Sequence, residues 1–257
     1  MANIDTRGKS QDLKSSKTSQ SLIMLIFLLL LLLAILFIWI GSRQRRAINS
    51  WRKHLALDKH FAVFQALYAN VDGFALSKRA REDKDALEYV YGEIEFESFI
   101  ALLSLCKTNA STIFYDLGSG TGKAVIACAL VFEVQKSCGI EIFPTLHNCA
   151  QTQQRRLKQF SHYQQKAERI EFILGDLLTS QFNDASLVFI NATAFFGEYW
   201  LTISKHLEQL KPGSLVISTS KAILSNQFTT REVTAIQMNW GVVNAFIQEK
   251  CINGIVP

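Results

Sequence analysis

The sequence predicts an α/β domain built on a doubly wound, mostly parallel sheet, preceded by helices and by one membrane-spanning helix. Three observations support this prediction. From residue 112 onward, short apolar runs alternate with helical stretches, as in parallel sheets whose strands are joined by helices. The last two apolar runs leave no room for a crossover helix, so they predict an antiparallel hairpin. Near the N-terminus, one long apolar run has the length of a membrane span.

The N-terminal part predicts a polar tail followed by a membrane anchor. Residues 1–20 are rich in Ser, Thr, Lys and Gln, a composition typical of disorder. Residues 21–41 predict a transmembrane helix, because the run 22–40 carries no charge and is close to the roughly 20 residues that a span needs. A cleavable signal peptide would have a shorter apolar region and a small-residue cleavage site. A buried core helix would usually keep a polar face.

The net charge of +5 is concentrated beside this anchor. Residues 1–53 hold nine Lys or Arg and two Asp or Glu, a balance of +7, while the rest of the chain holds 18 against 20, a balance of −2. Basic residues in that position favour anionic lipid headgroups. A nucleic-acid-binding domain would need a basic face of its own, so we expect a membrane as partner and no nucleic acid bound by the folded core.

Two features favour a cytosolic position for the C-terminal side of the anchor. Five basic residues follow the apolar run and four precede it, so the positive-inside rule slightly favours a cytosolic C-terminal side. The number of cysteines is five, which is odd, and they form no CxxC pair, as expected in a reducing compartment rather than in a disulfide framework. The sequence therefore predicts a single-pass membrane protein with its folded domain on the cytosolic side.

Residues 42–105 predict a helical linker and N-terminal helices, because apolar residues recur at three-to-four spacing in "HFAVFQALYANVDGFAL" and in "FESFIALLSL". Residues 106–257 predict the α/β core. Its strands are expected in "TIFYD", "KSCGIE", "IEFILGD", "SLVFIN" and "GSLVIST", and its hairpin in "EVTAIQMNWGVVNAFIQEK". Helices are expected in "GKAVIACALVF", "FPTLHNCAQTQQRRLKQF" and "GEYWLTISKHLEQL".

The glycine-rich turn "DLGSGTGK" follows the first strand, where open parallel sheets bind ligands. Glycines allow positive φ and a close approach of backbone to ligand. The turn does not match a phosphate-binding P-loop, GxxxxGK[ST]. Leu117 stands at the position of its first glycine, and Ala124 rather than Ser or Thr follows the lysine. A dinucleotide site is weakened rather than excluded, because Gly122 comes one residue too early for GxGxxG.

S-adenosylmethionine fits this turn better, because it carries a cationic sulfonium and no phosphate that nearby acids would repel. Three acids end successive predicted strands. Asp116 is placed for the amino-acid end of the cofactor, and Asp176 for the adenine amino group. Glu141 lies 19 residues after Gly122, near the roughly 20 expected for an acid that accepts ribose hydroxyls. Each acid alone also has an ordinary interpretation as an exposed or capping residue.

This pattern resembles the class I methyltransferases over about residues 88–250. A narrower resemblance lies in "VYGEIEFESF", "DLGSGTGK", "GDLL" and "VFINATAF", which are similar to motifs of the non-SET histone lysine methyltransferases, the disruptor-of-telomeric-silencing family. The sequence departs from that family at Asn191, Ala192 and Thr193, where the family has two adjacent asparagines and a phenylalanine. Its aromatic pair near the terminal hairpin is represented at best by Phe246, and its basic nucleosome-binding tail is absent.

The resemblance implies a division of roles around the cofactor. A tyrosine-glycine-glutamate loop folds over the methionine end, Asp176 and Leu177 border the adenine, and Asn191 with Phe195 lie by the methyl group and the lysine channel. The expected catalytic residues are Tyr91, Phe195 and Asn191, the last orienting the amine or the cofactor. The expected cofactor-binding residues are Tyr91, Gly92, Glu93, Ile94, Asp116, Gly118, Ser119, Gly120, Gly122, Lys123, Glu141, Asp176 and Leu177.

The sequence therefore predicts a membrane-tethered methyltransferase that uses S-adenosylmethionine to modify an accessible lysine of a protein. Methyl transfer is an in-line displacement that needs alignment and a neutral amine rather than a strong base. A lipid or small-molecule acceptor at the membrane is one alternative, and a non-catalytic scaffold is another. Metal chemistry and a serine nucleophile find no support, because the histidines lack paired ligand spacing and no GxSxG or HExxH occurs.

Overall fold

A computed structural model describes residues 7–81 and 91–251. The chain divides into two units, residues 1–54 and residues 55–257. The first unit contains one described helix, α1 (Arg7–His54). It begins inside the segment predicted to be a disordered tail, so residues 7–20 are helical where composition predicted disorder, while residues 1–6 of that tail lie outside the described residues. Extending an existing helix costs far less than starting one, which explains how a polar segment continues the helix of the apolar run.

The part of α1 over residues 27–54 is long and apolar enough to cross a membrane, and none of its most apolar stretch is buried within the structure. A signal sequence near an N-terminus passes the same test. The transmembrane assignment therefore stays a prediction.

The second unit carries a seven-stranded sheet with the order β3-β2-β1-β4-β5-β7-β6. The strands are β1 (Ile113–Leu117), β2 (Lys136–Glu141), β3 (Ile170–Leu174), β4 (Leu187–Ile190), β5 (Leu215–Thr219), β6 (Phe228–Met238) and β7 (Gly241–Lys250). Strands β1 to β5 pair in parallel, and β7 pairs antiparallel with both β5 and β6. The predicted doubly wound sheet with a terminal hairpin is confirmed.

Helices cover the sheet and precede it. They are α2 (Leu57–Tyr68), α3 (Gly73–Ala80), α4 (Phe96–Leu105), α5 (Lys123–Val131), α6 (Pro144–Leu157), α7 (Gln164–Glu168) and α8 (Gly197–His206). Helix α5 is deeply placed, because every residue from Ala124 to Val131 is buried. Its sequence is apolar on all sides, which is typical of a helix enclosed between a sheet and other helices.

The strand order reverses between β1 and β4, because the chain builds outward to β3 on one side and then returns to β4 on the other. Ligands of open parallel sheets bind at such a switch point, beyond the carboxyl ends of the strands. An apolar core including Tyr115, Val188 and Val216 fixes these strands in register. The fold thus places the glycine turn and the residue after β4 at one edge of the sheet.

Candidate functional site

A cavity opens at this edge and is lined by nearly every residue that the sequence predicts for the site. Segments that are far apart in the chain meet there: the loop before α4, the turn after β1, and the ends of β2, β3 and β4. The predicted residues that line it are Tyr91, Gly92, Glu93, Ile94, Asp116, Gly118, Ser119, Gly120, Lys123, Glu141, Asp176, Leu177, Asn191 and Phe195.

Gly122 is the exception among the predicted residues, because it lies outside the cavity lining. It has a φ of +81°, and a Cβ there would lie 2.6 Å from the ring of Phe172 and 2.9 Å from the Cβ of Ala150. The glycine is required for close packing between α5, β3 and α6. Packing therefore explains why this position is a glycine, and its contact with the cofactor stays a prediction that the cavity lining does not support.

Glu141 ends β2 and is fixed by backbone groups on both sides. One carboxylate oxygen accepts a hydrogen bond from the Gly120 amide at 2.7 Å, and the other accepts one from the Phe143 amide at 2.9 Å. Burial raises the pKa of Glu141, and these backbone donors oppose the rise. Each carboxylate oxygen has a second lone pair, so the residue can still accept two hydroxyl groups from a ligand.

Asp116 lies next to it and is also buried. Burial and the nearby charge of Glu141 raise the pKa of Asp116 to about 8. A cationic ligand would favour the ionised form of both acids and recover part of the cost of burying them. Ser119 adds a buried hydroxyl for which the described part of the chain offers no hydrogen-bond partner. These groups suit a ligand with positive charge and hydroxyls.

Asp176 follows β3 and shapes its own turn. Its carboxylate accepts a hydrogen bond from the Leu178 amide at 2.9 Å, while its carbonyl accepts one from the Ser180 amide at 2.9 Å. Asp176 therefore has a structural role in this turn and lines the cavity at the same time. Leu177 beside it is buried and contributes an apolar surface.

Sequence reasoning missed a second apolar surface of the cavity. Ile142, Phe143 and Leu146 line it directly after Glu141. Phe143 and Leu146 are buried, at the start of α6. Their signal was present in the sequence, since an apolar pair follows the ribose acid and leads into a proline-initiated helix. A flat, uncharged ligand group such as a purine ring suits these side chains and Leu177.

Residues 91–95 form a loop over the cavity, here called the lid. The Tyr91 hydroxyl donates to a Glu93 carboxylate oxygen at 2.6 Å and lies 3.1 Å from the Thr121 hydroxyl. The Tyr91 ring covers the glycine turn, because a Cβ on Gly120 would lie 2.7 Å from it. Burial and Glu93 raise the pKa of Tyr91, so it stays a neutral phenol. The Lys123 ammonium binds the other Glu93 oxygen at 2.5 Å.

The tip of the terminal hairpin holds the lid from the other side. The Asn239 amide donates to the Glu93 carbonyl at 3.0 Å, and the Glu93 amide donates to the Asn239 side chain at 3.2 Å. Ile94 forms an isolated antiparallel bridge with Met238. The lid is thus a short extension of the sheet beyond β6, one of its two edge strands.

Trp240 is the aromatic residue that the hairpin presents to the lid. A Cβ on Gly92 would lie 2.1 Å from its ring, so only glycine allows the two to pack. Phe246, which is the nearest match to the family's aromatic pair, lies in β7 between Ser218 of β5 and Val233 of β6, and it does not line the cavity. The sequence alone did not identify Trp240, because its contact depends on how the hairpin tip meets the lid.

Asn191 links the lid to the end of β4. Its side-chain amide donates to the Gly92 carbonyl at 3.3 Å, and its oxygen accepts from the hydroxyls of Thr219 at 2.7 Å and Thr193 at 3.0 Å. Asn191 thereby has a definite orientation within the wall of the cavity. Phe195 is buried and also lines the cavity, and it stacks against Trp200 with ring centroids 6.5 Å apart.

Among the described residues, no group of His, Cys, Asp and Glu is arranged to hold a metal ion. The cavity combines buried acids and the Ser119 hydroxyl with apolar walls and a lid. These features fit the charge and shape of S-adenosylmethionine, with Glu141 suited to the ribose, Asp116 to the amino-acid end and Asp176 to the adenine.

Comparison with known families gives a match over residues 76–251 to the model described as "Histone methylation protein DOT1". Curated relatives include proteins named histone-lysine N-methyltransferase, H3 lysine-79 specific. The Caenorhabditis elegans protein is 33% identical over 138 residues, or 51% of this chain and 15% of its own length. The Candida glabrata protein is 29% identical over 149 residues, which are 55% of this chain and 23% of its own length. The matched region is thus less than a quarter of these relatives.

Similar solved structures include an RNA methyltransferase from Salinibacter ruber in complex with S-adenosyl-L-homocysteine. It has a TM-score of 0.48 and 22% identity, and the match covers 63% of this chain and 94% of that one. TrmN from Thermus thermophilus has a TM-score of 0.49 and 17% identity, and the match covers 59% of this chain and 48% of TrmN.

Proposed function

The chain belongs to the histone methylation protein DOT1 family, and we propose that it is a membrane-anchored, S-adenosylmethionine-dependent methyltransferase that modifies a lysine of a protein. The observation that carries the proposal is the meeting of the lid, Asp116, Glu141 and Asn191 at one cavity. Binding and transfer need both the buried acids and a closed, oriented wall.

The bound cofactor supplies an electrophilic methyl group, and the residues of the chain bind and align the reactants. Glu141 accepts the ribose hydroxyls, and Asp116 meets the ammonium group of the amino-acid end. Tyr91 closes over the glycine turn as a neutral phenol and excludes water. Asn191 and Phe195 form the wall next to which the lysine amine enters.

The arrangement favours transfer to an amine that arrives neutral. An apolar, water-poor channel lowers the pKa of a lysine because it disfavours the charged form. Phe195 is buried and Tyr199 packs on it at 5.4 Å between ring centroids, which provides such a surface. The tethering helix would restrict the enzyme to lysines near a membrane, with the catalytic unit on the cytosolic side.

Transfer to a lipid is the competing function, and the apolar helix α1 motivates it. We would incubate the full chain with methyl-labelled S-adenosylmethionine, native membranes and histone octamers, and separate protein from lipid. Label recovered as methyl-lysine supports the proposal, and label in the lipid phase contradicts it.

Asn191→Ala should reduce protein labelling at least about tenfold, since a misaligned reactant loses much of its rate. Lys205→Ala, an exposed change on α8, should not.

A further inference from the structure

The turn after β5 has an unusual backbone conformation. Ser220 has a φ of +66°, a left-handed conformation that is costly for a residue with a side chain. The surrounding hydrogen bonds hold it there. The Ser220 amide donates to the Asn244 carbonyl at 2.7 Å, and the Ser218 hydroxyl donates to the Lys221 carbonyl at 2.8 Å.

The residue after this strained position, Lys221, directs its side chain toward the segment that follows β4. Its ammonium group donates to the Phe195 carbonyl and to the Thr193 carbonyl, the latter at 3.5 Å. It also lies 3.9 Å from the ring centroid of Phe196. A cation held by carbonyl oxygens and an aromatic face makes strong contacts when it is partly shielded from water.

The segment held in this way carries the wall of the cavity. Thr193 bonds to Asn191 and also to the Ser220 hydroxyl, at 2.8 Å, so the turn and the segment are joined twice. Phe195 lines the cavity, and its backbone carbonyl is bound by Lys221. Phe196 itself is 62% exposed, so packing alone does not hold its ring.

We infer that Lys221 is a positioning residue for methyl transfer, whose ammonium group holds residues 193–196 so that Phe195 and Asn191 keep their orientation at the site of the incoming amine. The inference rests on the proposed function. Lys221 lies outside the cavity lining, and its role explains why the strained conformation of Ser220 is maintained. Strain that is maintained by several contacts is typical of a functional site.

The first test compares Lys221→Met and Lys221→Arg in the full chain. Methionine keeps the apolar stem and removes the charge, so kcat should fall about tenfold while the Kd for S-adenosylmethionine changes less than about twofold. Arginine also donates to carbonyls and stacks on aromatic rings, so it should recover at least about half of the lost kcat. Lys205→Met, on the exposed face of α8, is the matched control.

Hydrogen exchange of residues 192–197 provides a readout that does not depend on activity. Exchange in Lys221→Met should be about tenfold faster there, with no change in β1 or β2. A second variant, Phe196→Leu, removes the aromatic contact at an exposed position and should increase exchange of the same segment less strongly. Unchanged exchange in Lys221→Met, or faster exchange with a wild-type kcat, would overturn the inference. Failure of the wild type to methylate any lysine contradicts the proposed function, and the exchange result still decides whether Lys221 holds the segment.

Discussion

The cavity has two halves that are built in different ways. The first, which we propose holds the adenosine and call the adenosine half, consists of the glycine turn, Glu141 and Asp176. The second, which we propose aligns the reactants and call the transfer half, consists of the lid, Asn191 and residues 193–196. In the first, Glu141 bonds to amides only 21 and 2 positions away. In the second, Asn191 reaches Gly92 across 99 positions and Glu93 reaches Asn239 across 146. The hydrogen bonds of Glu141 thus span at most 21 positions, whereas those that join the proposed transfer half span about 100 positions or more.

This difference predicts separable defects. Changes in the adenosine half should weaken cofactor binding, and changes in the transfer half should lower kcat with less effect on binding. Two experiments test that division and a third tests the charge of Asp116 between the halves, in order of decreasing expected effect.

Glu141→Ala should weaken binding of S-adenosylmethionine about 100-fold, because it removes charge-assisted bonds to ligand hydroxyls and releases the Gly120 amide. Titration calorimetry on the full chain measures this. Glu168→Ala, an exposed acid at the end of α7, is the control and should bind as the wild type does. Wild-type affinity in Glu141→Ala would contradict the assignment of Glu141 to cofactor binding.

Gly92→Ala should lower kcat roughly 30-fold, because the new Cβ collides with Trp240 and displaces the lid by a fraction of an ångström to an ångström. The Kd for the cofactor should change less. Steady-state kinetics measures the two effects separately. Trp240→Ala removes the side chain that the new Cβ would meet. Gly92→Ala should therefore lower kcat much less in a Trp240→Ala parent than in the wild type. A strictly additive loss would argue against the packing explanation.

Binding of the cofactor should depend on pH through Asp116. Its carboxyl has a pKa of about 8, so ionisation, and with it attraction for the cationic ligand, increases as the pH rises toward 8. Between pH 6 and pH 7 the ionised fraction grows about tenfold, and affinity should grow by nearly that factor. Calorimetry at both pH values checks this. Asp116→Asn should remove most of the trend and leave the contribution of Glu141, whose pKa burial also raises. A flat wild-type profile would contradict the prediction.

The sequence predicts correctly that Asp116, Glu141 and Asp176 meet at one cavity, because strand ends set their positions, while their roles toward the cofactor stay predictions. Asp116, Glu141 and Asp176 each come at or directly after the end of an apolar strand, and parallel topology brings such ends to one edge. Gly122 shows the limit of this reasoning. A glycine in the turn can be needed for ligand contact or for packing, and only the position of Phe172 indicates which applies.

The transfer half was predicted by resemblance rather than by local pattern. Nothing near Gly92 in the chain indicates that Trp240 will pack on it, since the contact depends on the length and twist of the terminal hairpin. Lys221 is a similar case. Its direction follows from a left-handed Ser220, which sequence pattern does not predict for a serine. The helix at residues 7–20 was also missed, because composition does not show that a neighbouring helix will extend into a polar tail.

The bridge between the lid and the hairpin covers part of a sheet edge. Strand β6 is one of the two edge strands of the sheet, and the lid satisfies the Gln237 carbonyl and the Asn239 amide at its end. Unpaired backbone groups at a sheet edge are a template for pairing with the backbone of another chain. The lid therefore also protects this end of the sheet against edge-to-edge pairing.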